Sequence, residues 1–132
     1  MNISNCRVII ADDSILKAMD IRRALEWNGI RDITIVSDQE KLWDAVYAGR
    51  ENGAEVGLIV TDVHYPLAPG AEADGEAGFK LIERMKQEGI KIPIIICSSQ
   101  NYCAAEALGS VWYREKDDIK LAFREVLGRL PS

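Results

Sequence analysis

Residues 8–14 read Val8-Ile9-Ile10-Ala11-Asp12-Asp13-Ser14, a continuous apolar run that ends on two carboxylates and a hydroxyl. Unbroken runs of β-branched residues are typical of strands that are buried on both faces of a parallel sheet. The runs Leu58-Ile59-Val60 and Ile94-Ile95-Ile96 have the same character. We therefore predict that these three segments form the centre of one parallel sheet.

Two further strand-like segments differ from the central three. Ile33-Thr34-Ile35 alternates apolar and polar residues, and residues 111–115 begin apolar and end charged. Each of these segments can tolerate one solvated face or one open edge. We therefore predict that they flank the sheet.

Stretches with a helical spacing of apolar residues separate the strand-like segments. The first follows Ser14, a suitable N-cap, and we expect its apolar residues, including Ile15 and Leu16, to face the core. Strands that alternate with helices imply parallel pairing through right-handed crossovers, and hence an α/β fold. The predicted helices are 14–28, 38–48, 78–88, 101–108 and a last one that begins at Asp117 or Asp118 and stops near Pro131.

The segment 65–77 follows neither the helical nor the strand period. Pro66, Pro69, Gly70 and Gly75 interrupt it, and these residues favour turns over regular structure. We predict a long surface loop here.

The overall composition limits the classes of function. The chain has 132 residues, of which 48% are hydrophobic, so we expect a single globular domain spanning 1–132. Its formal net charge of −5 repels phosphate backbones and anionic lipids, which argues against binding to nucleic acid or membranes. Cys6, Cys97 and Cys103 lack the spacing of a zinc or redox motif, and we expect reduced thiols and a cytoplasmic protein.

Polar side chains follow the predicted strands where ligands bind in such sheets, beyond the carboxyl ends. Asp12 and Asp13 follow the first strand, Asp62 and Ser98 follow or end the other central strands, and Lys116 follows the last. Each has an ordinary alternative explanation as a helix cap, a turn residue or a solvated charge. Together, however, three neighbouring carboxylates repel one another unless a cation lies between them, and hard oxygen ligands favour Mg²⁺. Such a site suits phosphoryl transfer onto a carboxylate.

Five segments in this order resemble the response-regulator receiver domains of two-component signalling. The resemblance covers nearly the whole chain and implies a flavodoxin-like, doubly wound five-stranded sheet of strand order 2-1-3-4-5 with five helices. Its motifs are Val8-Ile9-Ile10-Ala11-Asp12-Asp13-Ser14, Leu58-Ile59-Val60-Thr61-Asp62, Pro66, Pro93-Ile94-Ile95-Ile96-Cys97-Ser98-Ser99 and Tyr113-Arg114-Glu115-Lys116.

The resemblance also implies roles for individual residues. Asp62 would accept a phosphoryl group from a sensor histidine kinase or a phosphotransfer protein, and Ser98 and Lys116 would contact that group. Asp12, Asp13, Asp62 and the backbone carbonyl of His64 would hold Mg²⁺. Tyr113 would be the switch that reports phosphorylation, on a surface formed by the fourth helix, the fifth strand and the fifth helix.

Two features depart from the family pattern, and the identity of one basic residue stays open. Gly78 lies twelve residues after Pro66, further than the family places its glycine, so the 67–77 loop contains an insertion. Ser98 and Lys116 are eighteen positions apart, which is shorter than usual and predicts a shortened fourth helix. Arg114 is an alternative to Lys116 as the basic residue that contacts phosphate, and the aromatic-to-lysine spacing from Tyr113 favours Lys116.

Three functions remain open at this stage. The first is a stand-alone bacterial response regulator, a monomer or weak dimer that acts through an unknown downstream protein, with no catalysis beyond its own phosphorylation and dephosphorylation. The second is a degenerate receiver that works as a phosphorylation-independent interaction module. The third is an aspartyl-nucleophile phosphatase, which expects a second aspartate where His64 stands.

Overall fold

A computed structural model describes residues 3–131, so residues 1, 2 and 132 of the expected domain lie outside the described part. The three continuous apolar runs are the central strands, and the two mixed segments are the edges, as predicted. In chain order the strands are β1 (Arg7–Ala11), β2 (Asp32–Val36), β3 (Leu58–Thr61), β4 (Tyr65–Pro66), β5 (Ala73–Asp74), β6 (Ile94–Ser98) and β7 (Gly109–Trp112). The main sheet is parallel with the order β2-β1-β3-β6-β7, which confirms the predicted arrangement.

Helices cover both faces of this sheet. The Ser14 and Asp38 side chains cap the first two helices by accepting from the N–H groups of Lys17 and Lys41. One core lies under the first and last helices, around Leu25 and Phe123, and the other lies under the middle pair. The α-helices are α1 (Ile15–Trp27), α2 (Gln39–Glu51), α3 (Ala77–Glu88) and α4 (Lys120–Leu127), and a 3₁₀ turn spans Ile3–Asn5.

The helix predicted at 101–108 is absent, so the described chain has four α-helices instead of five. Asn101, Tyr102 and Cys103 are weak helix formers, and the Leu108 N–H already donates to the Ile94 carbonyl of β6 at 2.7 Å, so few residues remain for a helix between them. The segment therefore has no regular secondary structure apart from a single turn, in which the Ala107 N–H donates to the Ala104 carbonyl at 3.1 Å. Tyr102 packs edge-on against Phe79 and fixes part of this path.

The last strand lies earlier in the sequence than predicted. It ends at Trp112, opposite Ser98, instead of continuing to Glu115. A Cβ added at Gly109 would lie 2.7 Å from a Val126 methyl group and 2.7 Å from an Arg129 nitrogen. Gly109 thus allows α4 to pack directly on β7, and this contact fixes where the strand starts.

The segment predicted to be a long surface loop contains a small antiparallel hairpin. Its strands, β4 and β5, pair Tyr65 with Asp74 and Pro66 with Ala73. Tyr65 is fully buried, and the Asp74 carboxylate binds the Lys80 ammonium of α3 at 2.6 Å. The insertion is therefore anchored at its base by a core side chain and an ion pair.

The inward face of α1 differs from the prediction. Ile15 and Leu16 are each 80% exposed, whereas Lys17 is buried beside Ala18 and Ile21. The helix must place Ile21, Ala24 and Leu25 in the core, and residues one turn earlier on that face are Lys17 and Ala18. In the last helix Leu121 is likewise exposed, at 62% of its surface.

Cys6 and Cys97 are buried free thiols, as expected, and Cys103 is exposed. Burial raises the pKa of the Cys97 thiol to about 12, so this side chain behaves as a small apolar group at neutral pH. Across residues 3–131, every helix is too short or too polar to cross a lipid bilayer.

Candidate functional site

Three carboxylates meet at the carboxyl edge of the central strands. Ala11 of β1 pairs with Thr61 of β3, so the next residues, Asp12 and Asp62, emerge side by side. Asp13 joins them, and one oxygen from each of the three carboxylates lies within 4.8 Å of the other two. We call Asp12, Asp13 and Asp62 the acidic cluster.

Asp12 is the buried member of the acidic cluster, with 2% of its surface exposed. Its Oδ1 accepts from the backbone N–H of Ser14 at 2.9 Å. Its Oδ2 is buried and has no hydrogen bond within the described residues. Burial raises the pKa of this carboxyl above its usual value, and attraction to the Lys17 ammonium offsets the effect only in part.

Lys17 places an ammonium group inside the acidic cluster. Its Nζ lies 2.8 Å from Asp12 Oδ2 and 3.2 Å from Asp62 Oδ2, and the residue is 7% exposed. The contact with Asp12 is an ion pair without hydrogen-bond geometry. Burial lowers the pKa of the Lys17 ammonium, but the negative charges of Asp12 and Asp62 outweigh burial, and the net pKa is raised.

Lys17 is not among the site residues predicted from the sequence, although the helix pattern contains the signal. Counting back from Leu25 and Ile21 by one turn arrives at Lys17, so the period of α1 places a lysine on the buried face. A buried ammonium requires an anionic partner, and Asp12 and Asp13 immediately precede the helix.

Asp62 is held by its own backbone. Its Oδ1 accepts from the Val63 N–H at 2.7 Å, and its side chain is 15% exposed. Gly78, at the start of α3, approaches this turn so closely that a Cβ there would lie 2.5 Å from the Asp62 carbonyl oxygen. The glycine therefore permits the helix to pack against the residue that follows β3.

A buried polar network lies beneath Asp62. The Gln39 amide donates to the Tyr65 hydroxyl at 3.0 Å and to the Ala77 carbonyl at 2.9 Å, and the Thr61 hydroxyl lies 2.9 Å from the Tyr65 hydroxyl. Burial raises the pKa of Tyr65 to about 12. The network joins α2, β3, the hairpin and the start of α3, and it fixes the floor of the site.

Ser98 and Tyr113 lie at the neighbouring strand ends. Ser98 is 4% exposed, and its hydroxyl accepts from the Gln100 N–H at 3.2 Å. The Tyr113 hydroxyl donates to Asp20 Oδ2 at 2.5 Å, which raises the tyrosine pKa to about 12. The Tyr113 ring centroid lies 5.8 Å from Lys17 Nζ, so this ring borders the acidic cluster from the β7 side.

Neither of the two basic residues proposed to contact phosphate is paired with the acidic cluster. Lys116 is exposed in a turn and makes no ion pair with any residue between 3 and 131. Arg114 binds Asp117 at 2.7 Å and lies over the Trp112 ring. Because β7 ends at Trp112, Tyr113 occupies the strand end where Lys116 was expected, and Lys116 lies further along the chain.

The hairpin forms one side of the entrance. Asp13, Lys41 and the tip of the insertion line a cavity of about 340 Å³ beside the acidic cluster. His64 is exposed, and its ring lies close enough to the hairpin that a Cβ on Gly75 would be 3.1 Å from Nε2.

The donor set fits a hard divalent cation. One oxygen from each of the three carboxylates lies within 4.8 Å of the other two, and the buried Asp12 Oδ2 has a charged contact, the Lys17 ammonium, where a cation could stand. Oxygen-only sites of this kind favour Mg²⁺ over softer metals.

The comparisons with known proteins support the same architecture. No family model and no curated protein sequence matches the chain. The response regulator TrrA of Thermotoga maritima, solved in complex with Mg²⁺ and BeF, superposes with a TM-score of 0.71 and 15% identity over 95% of this chain and 99% of that one. The chemotaxis response regulator CheY4 of Vibrio cholerae gives a TM-score of 0.65 and 17% identity over 95% and 98% of the two chains. The response regulator RcsB of Salmonella typhimurium gives 0.66 and 20% over 93% of this chain, which spans 57% of that longer chain.

These likenesses show the fold. The chain has the flavodoxin-like fold of response-regulator receiver domains. Its acidic cluster lies at the carboxyl edge of that fold, where parallel α/β sheets bind their ligands.

Proposed function

We propose that this protein is a phosphorylation-controlled signalling receiver in which Asp62 accepts a phosphoryl group. The observation that carries the proposal is the convergence of Asp12, Asp13 and the partly exposed Asp62 on one rim of a receiver fold. An oxygen of the Asp62 carboxylate attacks phosphorus in line, the donor's N–P bond breaks, and its electron pair stays on the donor imidazole. The donor is a phosphohistidine of a sensor kinase or phosphotransfer protein.

The residues of the acidic cluster prepare this reaction by holding charge and geometry. Asp12, Asp13, Asp62 and the His64 backbone carbonyl would bind Mg²⁺, which supplies positive charge to the phosphoryl oxygens. The Val63 N–H orients Asp62 by binding its Oδ1. Ser98 is positioned at the adjacent strand end, and we propose that its hydroxyl donates to the phosphoryl group once it is bound.

The switch follows from the added charge. A phosphoryl group brings about −1.5 to −2 charges, which favours packings that draw donors toward Asp62. We propose that Ser98 and Tyr113 respond, and that Lys116 reaches the phosphoryl group only when its turn moves inward. Because no helix stands at 101–108, the responding surface consists of β7, α4 and an extended segment, which differs from the three-element surface predicted from the family.

The setting of this function is also part of the proposal. A net charge of −5 supports a protein partner over nucleic acid or a membrane surface. We propose one receiver domain over 1–132 that works in a bacterial cytoplasm as a monomer or weak dimer, with an unidentified downstream protein.

Phosphoryl uptake is tested by incubating the protein with Mg²⁺ and acetyl phosphate and measuring intact mass. We expect one added phosphoryl group on the native chain and on an Asp44→Asn control, whose carboxylate is exposed on α2. The Asp62→Asn variant should gain none, because its amide is a poor nucleophile. Failure of the folded native protein to gain the group at saturating Mg²⁺ would contradict the proposal.

The degenerate receiver is the second candidate, and specific observations favour it. Lys17 already pairs with Asp12 and Asp62, Lys116 is exposed to solvent, and no helix forms at 101–108. Under this alternative the native chain takes up no phosphoryl group. The third candidate, an aspartyl phosphatase, instead predicts continuous release of phosphate from a free ester that Asp62→Asn abolishes.

A further inference from the structure

Lys17 is the cation that the chain itself supplies to the acidic cluster. Among residues 3–131, Asp12 and Asp62 form ion pairs with this side chain and with no other. The pairing joins two carboxylates that follow different strands, and the ammonium bridges them from α1. The bridge is therefore a built feature of the site, unlike the exposed ion pairs elsewhere on the surface.

The position of Lys17 is enforced by the helix that carries it. Its backbone N–H is capped by the Ser14 hydroxyl at 3.4 Å, and its neighbours on the same face, Ala18 and Ile21, are each 1% exposed. These contacts fix the direction in which the side chain leaves the backbone. The ammonium is therefore delivered to the carboxylates by the same packing that docks α1 on the sheet.

Lys17 contacts the carboxylate oxygens of Asp12 and Asp62 that accept no backbone N–H group, and a metal bound between the two carboxylates would compete for them. The ammonium lies beside Asp12 Oδ2 and Asp62 Oδ2, whereas the two Oδ1 atoms accept backbone N–H groups of Ser14 and Val63. A divalent cation and an ammonium repel each other strongly at such separations. They cannot both be held by the same two oxygens.

We propose that Lys17 is an internal counter-ion that competes with the divalent cation and leaves Asp12 and Asp62 when that cation binds. The inference rests on the divalent-cation site of the proposed function. It makes the charge of α1 a determinant of how much Mg²⁺ the protein needs before Asp62 becomes reactive.

The structure provides a second surface for the displaced ammonium. The Tyr113 ring centroid is 5.8 Å from Nζ, within the range of cation–π attraction, and its hydroxyl is bonded to Asp20, one turn further along α1. Movement of Lys17 away from the carboxylates therefore changes the surroundings of Tyr113. Metal binding and the proposed switch residue are linked through this side chain.

The first test is a calorimetric titration of Mg²⁺ into the native protein and into Lys17→Met and Lys17→Gln. We expect both variants to bind Mg²⁺ at least tenfold more tightly than the native chain, because the competing charge is gone. Equal or weaker binding in both folded variants would overturn the proposal. Lys17→Gln retains a polar side chain, so its agreement with Lys17→Met assigns the effect to charge.

Two variants separate Lys17 from lysines in general. Lys41→Met removes the same charge near the cavity beside Asp13, but Lys41 pairs with Asp38 and not with the acidic cluster. We expect its Mg²⁺ affinity to stay within threefold of native. Tighter binding in Lys116→Met, with Lys17→Met unchanged, would identify Lys116 as the competing ammonium and overturn the assignment to Lys17.

A measurement on the native protein avoids any folding defect in the variants. Pulsed acylation of amines, followed by peptide mapping, reports how accessible each lysine is. We expect Lys17 to react at least tenfold more slowly than Lys116 without Mg²⁺ and at least threefold faster at saturating Mg²⁺ than without it. Labelling of Lys17 that does not change when Mg²⁺ binds would overturn the displacement.

These readouts are separable from the test of phosphoryl uptake. A native chain that shows the Lys17 effects but takes up no phosphoryl group would support the counter-ion role of Lys17 and contradict the phosphoacceptor role of Asp62. A chain that is phosphorylated but shows no Lys17 effect would support the receiver function and contradict the counter-ion role of Lys17. A chain in which neither Lys17 variant binds Mg²⁺ contradicts the inference, whatever its phosphorylation.

Discussion

The two halves of the carboxyl edge are built differently. Around β1 and β3, the acidic cluster and the Lys17 ammonium are packed together over a buried polar network. Around β6 and β7, Ser98 bonds to a neighbouring backbone N–H, Lys116 is exposed, and the connecting segment has no helix. The first half presents charged groups in fixed contact, whereas in the second half the basic residue lies away from the cluster and would have to move to reach it.

This difference separates two properties that a receiver must combine. In the proposed function, binding of a cation and attack on phosphorus require fixed oxygens, and the β1–β3 half offers them. A conformational response to phosphorylation requires a region with two accessible packings. Such regions have few buried contacts. The following substitutions measure how unequal the two halves are.

Lys17→Met should break the β1–β3 half most severely. Without divalent cation we expect the free energy of unfolding to fall by about 3 kcal/mol, because the variant leaves Asp12 buried without its charge partner. Urea denaturation measures the loss, with Lys41→Met as the control for an exposed lysine. Saturating Mg²⁺ should stabilise the variant more than the native chain, because the folded variant is expected to bind Mg²⁺ more tightly than the folded native chain does. A loss below about 1 kcal/mol would show that the pair behaves like a surface ion pair.

Gly78→Ala should disturb the same half through the backbone. The new methyl group would lie 2.5 Å from the Asp62 carbonyl and 3.1 Å from Val63 Cα, so α3 has to shift. We expect a loss of about 2 kcal/mol, measured by urea denaturation. Gly75→Ala is the matched control, because its methyl group meets the exposed His64 ring, which can move aside. Equal losses in the two variants would mean that the close approach of α3 to Asp62 is not limiting.

Tyr113→Phe tests the border between the halves. Loss of the hydrogen bond to Asp20 should lower the free energy of unfolding at neutral pH by about 1 kcal/mol. Absorbance titration gives an independent readout, because Tyr65 and Tyr113 both have a pKa of about 12 and the variant should lose one of the two late steps. Both pKa values are raised above the unfolded value of 10.0, so their stabilisation is complete below pH 10 and is lost as the pH rises through about 12. An unchanged late titration in the variant would contradict the assignment.

Lys116→Met should have the smallest effect. Its side chain is exposed in a turn, so we expect the unfolding free energy to change by less than about 0.5 kcal/mol. Thermal or urea unfolding measures the difference from native. A loss comparable to that of Lys17→Met would show that the β7 side holds its lysine as firmly as α1 does, which would remove the contrast between the halves.

The sequence predicted the architecture well because its strongest signals come from burial. Three unbroken apolar runs identified the central strands, and the residues after two of them identified Asp12 and Asp62 as neighbours. The caps at Ser14 and Asp38 were also predictable, because short polar side chains before an amphipathic stretch have a local reason to bond there.

The errors arose where long-range packing decides the outcome. The 101–108 segment contains helix-forming alanines, but weak helix formers precede them and Leu108 is already bonded to β6, which leaves too few residues for a stable helix. Ile15 and Leu16 were expected in the core, yet the direction of α1 is set by residues further along the helix, and Lys17 takes the inward place. The base of the insertion was not predicted because the burial of Tyr65 depends on bonds of its hydroxyl group to Gln39 of α2 and Thr61 of β3, which become neighbours only in the folded chain.

Gly109, at the start of β7, limits how closely a basic residue from this strand can approach the acidic cluster. Any side chain at Gly109 would collide with α4, and sliding the edge strand by one residue would bring Ser110 into that place. The strand is thereby locked in a single alignment, which leaves Lys116 several residues beyond its end. Charge can be brought closer from this side only by bending the turn, while α1 delivers it without any bending at all.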